Sequence, residues 1–353
     1  MLIADSHLDI AYSALEWNRD LTADITTIRE AEAGMGQKGR GANVVCFPEL
    51  RRGGLGLIFV TMGYRLASVG KRFAGGRTQD ICYARCMGEL AYYRLMENKG
   101  HLRHLRDVTA LDAHLQAWET DPDQTPIGFV LTMEGADGIV DSEQVRHWWE
   151  HGLRIVSLVH YGISAYSHGT QAPGGLRKRG RAMLQAMEAA GMALDVSHLA
   201  EQAYWEALDA FDGPLLATHN CCRALCDHDR QLDDEQIKAL VARGGVMGVA
   251  FDDWMLSPAW DHDAQDNSQI TLATVADHID HICQLAGNAD HAALGTDLDG
   301  GYGREQAPAD LNTIADLRKV ADILGERGYS DDHVAGIMSG NWVCFLRGAL
   351  PAG

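Results

Sequence analysis

The sequence predicts an α/β protein built as a (β/α)8 TIM barrel with a binuclear metal site at its C-terminal mouth, and three observations predict it. Short apolar runs of β type recur along the 353 residues, segments with helical period separate them, and a histidine or carboxylate closes most of the runs. Parallel strands standing side by side in a barrel bring such strand-end residues to one mouth, whatever their separation in sequence. The strands are expected at 2–6, 56–61, 127–133, 155–159, 193–197, 215–218, 246–251 and 292–296, which makes about eight. Between them, Tyr83, Met87, Leu90 and Ala91 form one helical stripe, and Leu272, Val275, Ile279 and Ile282 form a second with Thr271 as its N-cap. Gly191 and Gly244 stand just before strands, where a helix stop in the left-handed conformation belongs. The longest irregular stretches, 35–54, 161–179 and 254–269, read as loops, and long βα loops in a barrel carry specificity. No Pro/Ser-rich linker divides the chain and ligand candidates lie on both sides of any cut, so residues 1–353 read as one metallohydrolase domain.

Composition narrows the function classes. An apolar content of 46% suffices for a large core, and a formal charge of -19, from 49 acidic against 30 basic residues, opposes binding to phosphate backbones or anionic lipid. Nucleic acid and membrane are therefore not expected as partners. The start MLIADSHLDI lacks a basic n-region and an apolar h-region, so it does not read as a signal peptide, and no run has the length of a membrane span. The eight cysteines lack the spacing of a zinc ribbon and read as buried thiols of a reducing, cytoplasmic setting, including Cys82 with Cys86 and Cys222 with Cys226.

The chemistry lies at the strand ends. His7 and Asp9, two apart on an extended strand, point to the same side and can hold one cation. Glu134 ends an apolar strand, where an uncompensated carboxylate is costly and a metal would compensate it. His198 and His219 occupy equivalent positions after neighbouring strands, and Asp297 follows the last. Singly, each has a plainer reading as a satisfied core histidine or a salt-bridged acid; together they favour a metal centre. A carboxylate beside a metal-activated water can take its proton and return it to a leaving amine. Asp299 is two residues from Asp297, and spacing does not decide between them. His278 and His281 read as outer-helix residues and His168 as a mobile loop histidine.

In order along the chain, Asp5-Ser6-His7-Leu8-Asp9, Met133-Glu134-Gly135, Leu158-Val159-His160, GMALDVSH at 191–198, His219 with Arg230 downstream, Gly244-Gly245-Val246-Met247, and Gly295-Thr296-Asp297-Leu298-Asp299-Gly300 resemble the membrane dipeptidase (renal dipeptidase) family of metallopeptidases, within the amidohydrolase superfamily. The resemblance covers nearly the whole length. It implies two zinc ions, one on His7, Asp9 and Glu134 and one on Glu134, His198 and His219, with Glu134 bridging. It further implies hydrolysis of a dipeptide by a metal-bridging hydroxide, with Asp297 as proton shuttle, His160 on the scissile carbonyl and Arg230 on the free C-terminal carboxylate, which a guanidinium fork matches bidentately. The family's tolerance of a D-residue at the C-terminal position makes L-Xaa-D-Xaa dipeptides the expected substrates, and relatives suggest a homodimer.

The chain departs from the family pattern at Gln231, where Asn is common, and in the loop after His160, which reads Tyr161-Gly162-Ile163-Ser164-Ala165-Tyr166-Ser167-His168 and is expected to line the side-chain pocket. The mammalian relatives are secreted and lipid-anchored, whereas this sequence reads as a soluble bacterial-type homologue. Two rival functions stand beside the dipeptidase: an amidohydrolase acting on an N-acyl amino acid or lactam with the same metals, and a catalytically idle metal-binding scaffold.

Overall fold

The computed structural model describes residues 1–67, 75–261, 263 and 266–353. Nine strands form one parallel sheet: β1 (Ile3–Leu8), β2 (Leu55–Met62), β3 (Leu102–His104), β4 (Ile127–Met133), β5 (Leu153–Ser157), β6 (Ala193–Asp195), β7 (Leu215–Asn220), β8 (Met247–Val249) and β9 (Ala292–Leu294). Eight of them follow one another as β1-β2-β4-β5-β6-β7-β8-β9, and β3 lies off this path, paired in parallel with β4. These eight are the expected barrel strands; β3 is an addition, three residues long with one aliphatic side chain, too short to carry a period.

Alternate strand residues divide between two apolar clusters. Ala4, Leu57, Phe59, Val130, Ile155, Ala193, Leu216 and Ala293 gather with Trp342 and Leu346 of the helix Asn341–Ala349, while Ile3, Ile58, Val60, Phe129, Leu131 and Val156 pack with the surrounding helices. Two-residue alternation on a sheet curled into a ring separates an axial core from a peripheral one. Near the axis space is short. A Cβ at Gly295 would lie 1.8 Å from the carbonyl oxygen of Thr218, so only glycine fits there.

The ring closes in an unusual manner. Among the described residues no strand ladder joins β9 to β1. The seam is held by one backbone bond, Asp297 N–H to the His7 carbonyl at 3.2 Å, and by side chains. Thr296 donates its N–H and its hydroxyl to the two oxygens of Asp5, at 2.9 and 2.6 Å, and the single proton of Ser6 Oγ lies between Leu294 O, 3.0 Å away across the seam, and Thr218 O of β7, 2.5 Å away.

The helices hold two corrections. In Gln79–Asn98 the buried face carries Cys82, Cys86, Glu89, Leu90, Tyr93 and Met96, so of the expected stripe only Leu90 is buried and Ala91 is exposed. Glu89 sits on the core side because its carboxylate accepts the Gly63 N–H at 2.9 Å. In Leu272–Ala286 the expected stripe is buried behind the Thr271 N-cap, yet His278 is buried as well, not on the outer face. Its ring bonds the Cys222 N–H and the Leu256 carbonyl at 3.0 and 2.9 Å, which satisfies both nitrogens in the interior. His281 is half-buried, 2.8 Å from Asp234. Gly191 and Gly244 adopt the expected left-handed conformation, with φ of 76° and 71°. The stretch 254–269 falls partly outside the described residues; 161–179 is described throughout and is pinned by bridges from Tyr161 to Thr170, Ile163 to His168, Ser167 to Leu176 and Gly169 to Leu199. His168 therefore stands on a bridged loop, its Nδ1 2.8 Å from the Gly175 carbonyl, where its position in the sequence suggests an unanchored one.

Candidate metal centre

Irregularities at the strand ends aim the donors. The β1–β2 ladder shifts register between Asp5 and Leu8, around His7, and the β7–β8 ladder shifts between Ala217 and Asn220, around His219. Such bulges re-aim side chains near functional sites. Asp9 directly follows β1, and Glu134 follows β4, its N–H bonded to Met62 O at 2.8 Å. His198 and Asp297 each stand three residues beyond their strands in the left-handed region, with φ of 67° and 58°. That conformation is disfavoured for residues with a Cβ and turns both side chains back toward the mouth.

The donors converge on Glu134. Its Oε1 lies 3.0 Å from His198 Nε2, 3.1 Å from His219 Nε2, 3.6 Å from His160 Nε2 and 3.8 Å from His7 Nε2. His7 Nε2 is 3.8 Å from Asp297 Oδ1, and the rings of His7 and His219 stack at 3.7 Å. Among the described residues, three sets place their ligand atoms within 4.8 Å of one another: His7, Glu134 and His219; Glu134, His160 and His198; and His7, Asp9 and Asp297. The structure thus gathers His7, His198 and His219 around Glu134 and sets Asp9 beside His7 and Asp297.

The electrostatics of this cluster fit a cation. Burial, then the charge of its neighbours, keeps the imidazoles neutral: His7 is lowered to about 3, with His219 contributing, and His219 to about 4, with Arg230 contributing. Metal ligation needs that neutral form. Burial disfavours ionised Glu134, but His160, first among the surrounding histidines, and His7 outweigh it and hold the carboxyl well below the usual range. Asp9 and Asp297 go the other way: burial, and then the neighbouring carboxylates, raise both well above it. Both ring nitrogens of His7 are buried without a hydrogen-bond partner among the described residues. Crowded acids and an orphaned imidazole are costly by themselves and are relieved by bound metal.

Hydroxyls orient two of the histidines. Thr218 Oγ1 donates to Asp195 Oδ2 at 2.6 Å, so it can only accept from His219 Nδ1, 2.8 Å away, and the lone pair on Nε2 faces Glu134. Thr170 Oγ1, on the loop after β5, lies 2.9 Å from His198 Nδ1. Neither threonine stands out in the sequence, since a hydroxyl has no period to betray it.

The remaining candidates divide clearly. Arg230 is buried; Nη2 donates to His219 O at 2.7 Å, and Nη1 has no partner among the described residues. His160, three residues past β5, is partly exposed beside Tyr161, whose ring meets the rings of both His160 and His198 edge-on. Asp299 turns away from the cluster: its carboxylate accepts the N–H groups of Val44 and Val45 and faces Arg19 at 3.7 Å. Geometry therefore separates Asp297 from Asp299 where spacing does not. Gln231 is structural, accepting from Cys221 N at 3.0 Å and donating to Met255 O at 2.9 Å.

Comparison with known proteins gives the family and the fold. The model of the membrane dipeptidase family, peptidase family M19, matches residues 1–349. An uncharacterized Klebsiella pneumoniae protein in the pqqA 5′ region is 30% identical over 230 residues, 63% of this chain and 82% of its own length. Dipeptidase tcpJ of Claviceps purpurea is 29% identical over 231 residues, 62% of this chain and 51% of its own length, so the chain spans about half of that relative. A metallopeptidase from Rhodobacter sphaeroides, liganded with a phosphinate mimic of the dipeptide L-Ala-D-Ala, shares the fold with a TM-score of 0.78 at 20% identity, over 99% of each chain. The chain belongs to the membrane dipeptidase family, peptidase family M19.

Proposed function

We propose that this protein is a metal-dependent dipeptidase that acts on L-Xaa-D-Xaa dipeptides, as one domain over residues 1–353. The observation that carries this reading is the convergence of His7, His160, His198 and His219 on Glu134, beside a buried guanidinium nitrogen with no partner among the described residues. In this reading His7, Asp9 and Glu134 hold one zinc ion and Glu134, His198 and His219 a second. When bound, the two ions supply a water of lowered pKa and polarise the scissile carbonyl.

This chain's residues do the rest. Arg230 pairs with the C-terminal carboxylate of the dipeptide and thereby measures one residue beyond the cleaved bond. His160 donates from Nε2 to the scissile oxygen as negative charge develops there. Asp297 takes the proton of the attacking water and passes it to the departing amino group, leaving two free amino acids; a carboxyl raised by burial and by Asp9 suits a group that must hold a proton between the two transfers. The phosphinate mimic bound by the Rhodobacter sphaeroides relative supports a dipeptide with a D-residue at its C-terminal end. Eight free cysteines, and the absence among the described residues of any helix long and apolar enough to cross a membrane, support a cytoplasmic setting. The homodimer is carried over from the resemblance and is checked by light scattering.

The test is a panel of L-L, L-D, D-L and D-D dipeptides, an N-acyl amino acid and a lactam, given to the zinc-loaded protein and to Asp297→Asn. We expect zinc-dependent turnover of the L-D member and a loss of at least about 100-fold in the variant, with zinc content retained. Turnover of the acyl amino acid or lactam alone would replace the dipeptidase with an amidohydrolase. No turnover with metal bound would favour the idle scaffold.

A further inference from the structure

One cation at the mouth has no part in the mechanism above. Arg65 follows β2, and its Nη1 lies 2.9 Å from His160 Nδ1. Its guanidinium also sits 5.9 Å from the centre of the Tyr161 ring. The backbone around it is fixed: the Arg65 carbonyl accepts from Gly76 N at 2.9 Å, and Leu66 N donates to Asp137 Oδ2 at 2.9 Å. Asp137 Oδ1 accepts from Ala165 N, at 2.8 Å, in the loop that follows His160. One carboxylate thus ties the Arg65 segment to the His160 segment.

A guanidinium has five donors and no acceptor and does not lose its proton in proteins. Its contact with Nδ1 is a hydrogen bond only if Nδ1 offers a lone pair. A neutral imidazole with a lone pair on Nδ1 carries its proton on Nε2, and it is Nε2 that faces Glu134 at 3.6 Å. A nitrogen bearing that proton cannot ligate a cation, although distance alone puts His160 in a donor set with Glu134 and His198.

We propose that Arg65 is a positioning residue that fixes the tautomer of His160, presenting Nε2–H to the scissile oxygen and keeping the ring out of the metal ligand set. Its catalytic consequence rests on the reading of His160 as the donor to that oxygen.

The experiment uses the full, zinc-loaded chain labelled with ¹⁵N-histidine, as wild type, Arg65→Lys, Arg65→Gln, Arg65→Glu, His160→Gln and the double variant Arg65→Gln/His160→Gln. Long-range ¹H–¹⁵N spectra report which nitrogen of His160 is protonated, the resonance being assigned by its loss in His160→Gln. We expect an Nε2-protonated ring in wild type and in Arg65→Lys, whose ammonium is also donor-only, a mixture in Arg65→Gln and the opposite tautomer in Arg65→Glu. On the best dipeptide, kcat should fall about ten- to a hundred-fold in Arg65→Glu, less in Arg65→Gln, with KM little changed and with no further loss in the double variant relative to His160→Gln. An Nδ1-protonated ring in wild type would overturn the proposal, as would a loss confined to KM that persists without His160. If the tautomers behave as expected but no dipeptide is cleaved, the assignment of Arg65 stands and the dipeptidase reading fails; if dipeptides are cleaved and neither Arg65→Gln nor Arg65→Glu moves the spectrum or kcat, the reverse holds.

Discussion

Thr218 touches no substrate in our reading, yet it decides how His219 presents itself. Its one proton goes to Asp195, so it accepts from the imidazole and leaves Nε2 as the lone-pair nitrogen. Thr218→Val keeps the volume and removes the relay, and zinc affinity should fall about 10- to 100-fold in a chelator competition; unchanged affinity would show that the hydroxyl is incidental. Asp299 belongs to a different economy of the same segment, anchoring the amides of Val44 and Val45 beside Arg19. Measured at pH 7.5, above the value of about 6 to which burial raises it against the pull of Arg19, Asp299→Asn should cost about 2 kcal/mol in urea unfolding while zinc content and kcat persist. A loss of zinc in that variant would mean that the two aspartates are not separable. The ligands themselves are legible in the sequence because each interrupts or closes an apolar run, so that a polar residue stands where burial is expected. Arg65 and Thr170 are not, because their partners lie across loops whose path no local pattern encodes.

At the level of elements, the seam between β9 and β1 is the part of the barrel that depends most on side chains. Thr296→Val deletes the hydroxyl bond to Asp5 and leaves a buried carboxylate short of a donor, which should cost about 1–3 kcal/mol. Hydrogen exchange should then quicken at Leu294 to Asp297 while β2 and β4, joined through six consecutive residue pairs, remain protected; acceleration spread evenly over all strands would contradict a local seam. The barrel was readable because its strands are apolar on both faces, as parallel strands covered by helices must be. The misplaced stripe of Gln79–Asn98 has an equally physical cause. Hydropathy assigns Glu89 to water, and only the folded chain supplies the Gly63 amide that lets it face the core. His278 was misread for the same reason, since both of its partners come from other segments.

For the molecule as a whole, buried acids set the response to pH. Asp253 is fully buried with no partner for either oxygen among the described residues, and burial, with Asp252 beside it, raises it to about 8. A carboxyl that binds its proton more tightly folded than unfolded contributes stability that is present in full below the unfolded value near 3.8 and is lost as pH rises through about 8. Asp253→Asn, which stays neutral at every pH, should therefore melt above wild type at pH 9, by roughly half as much at pH 6, and level with it below about pH 3.8; parallel melting curves across that range would refute the assignment. His104, lowered to about 3 chiefly by burial, acts on the other side: its contribution is present above 6.5 and is lost as pH falls toward 3. The thermal optimum should accordingly lie between these limbs. The side-chain seam has a temporal meaning too. His7 and Asp9 leave the ribosome well ahead of the threonine that clasps their strand, which lies 291 residues behind Asp5. At cellular elongation rates that gap is roughly 15 to 60 s. Through that interval the first ligands wait on an unfinished ring, and metal capture must wait for the seam to close.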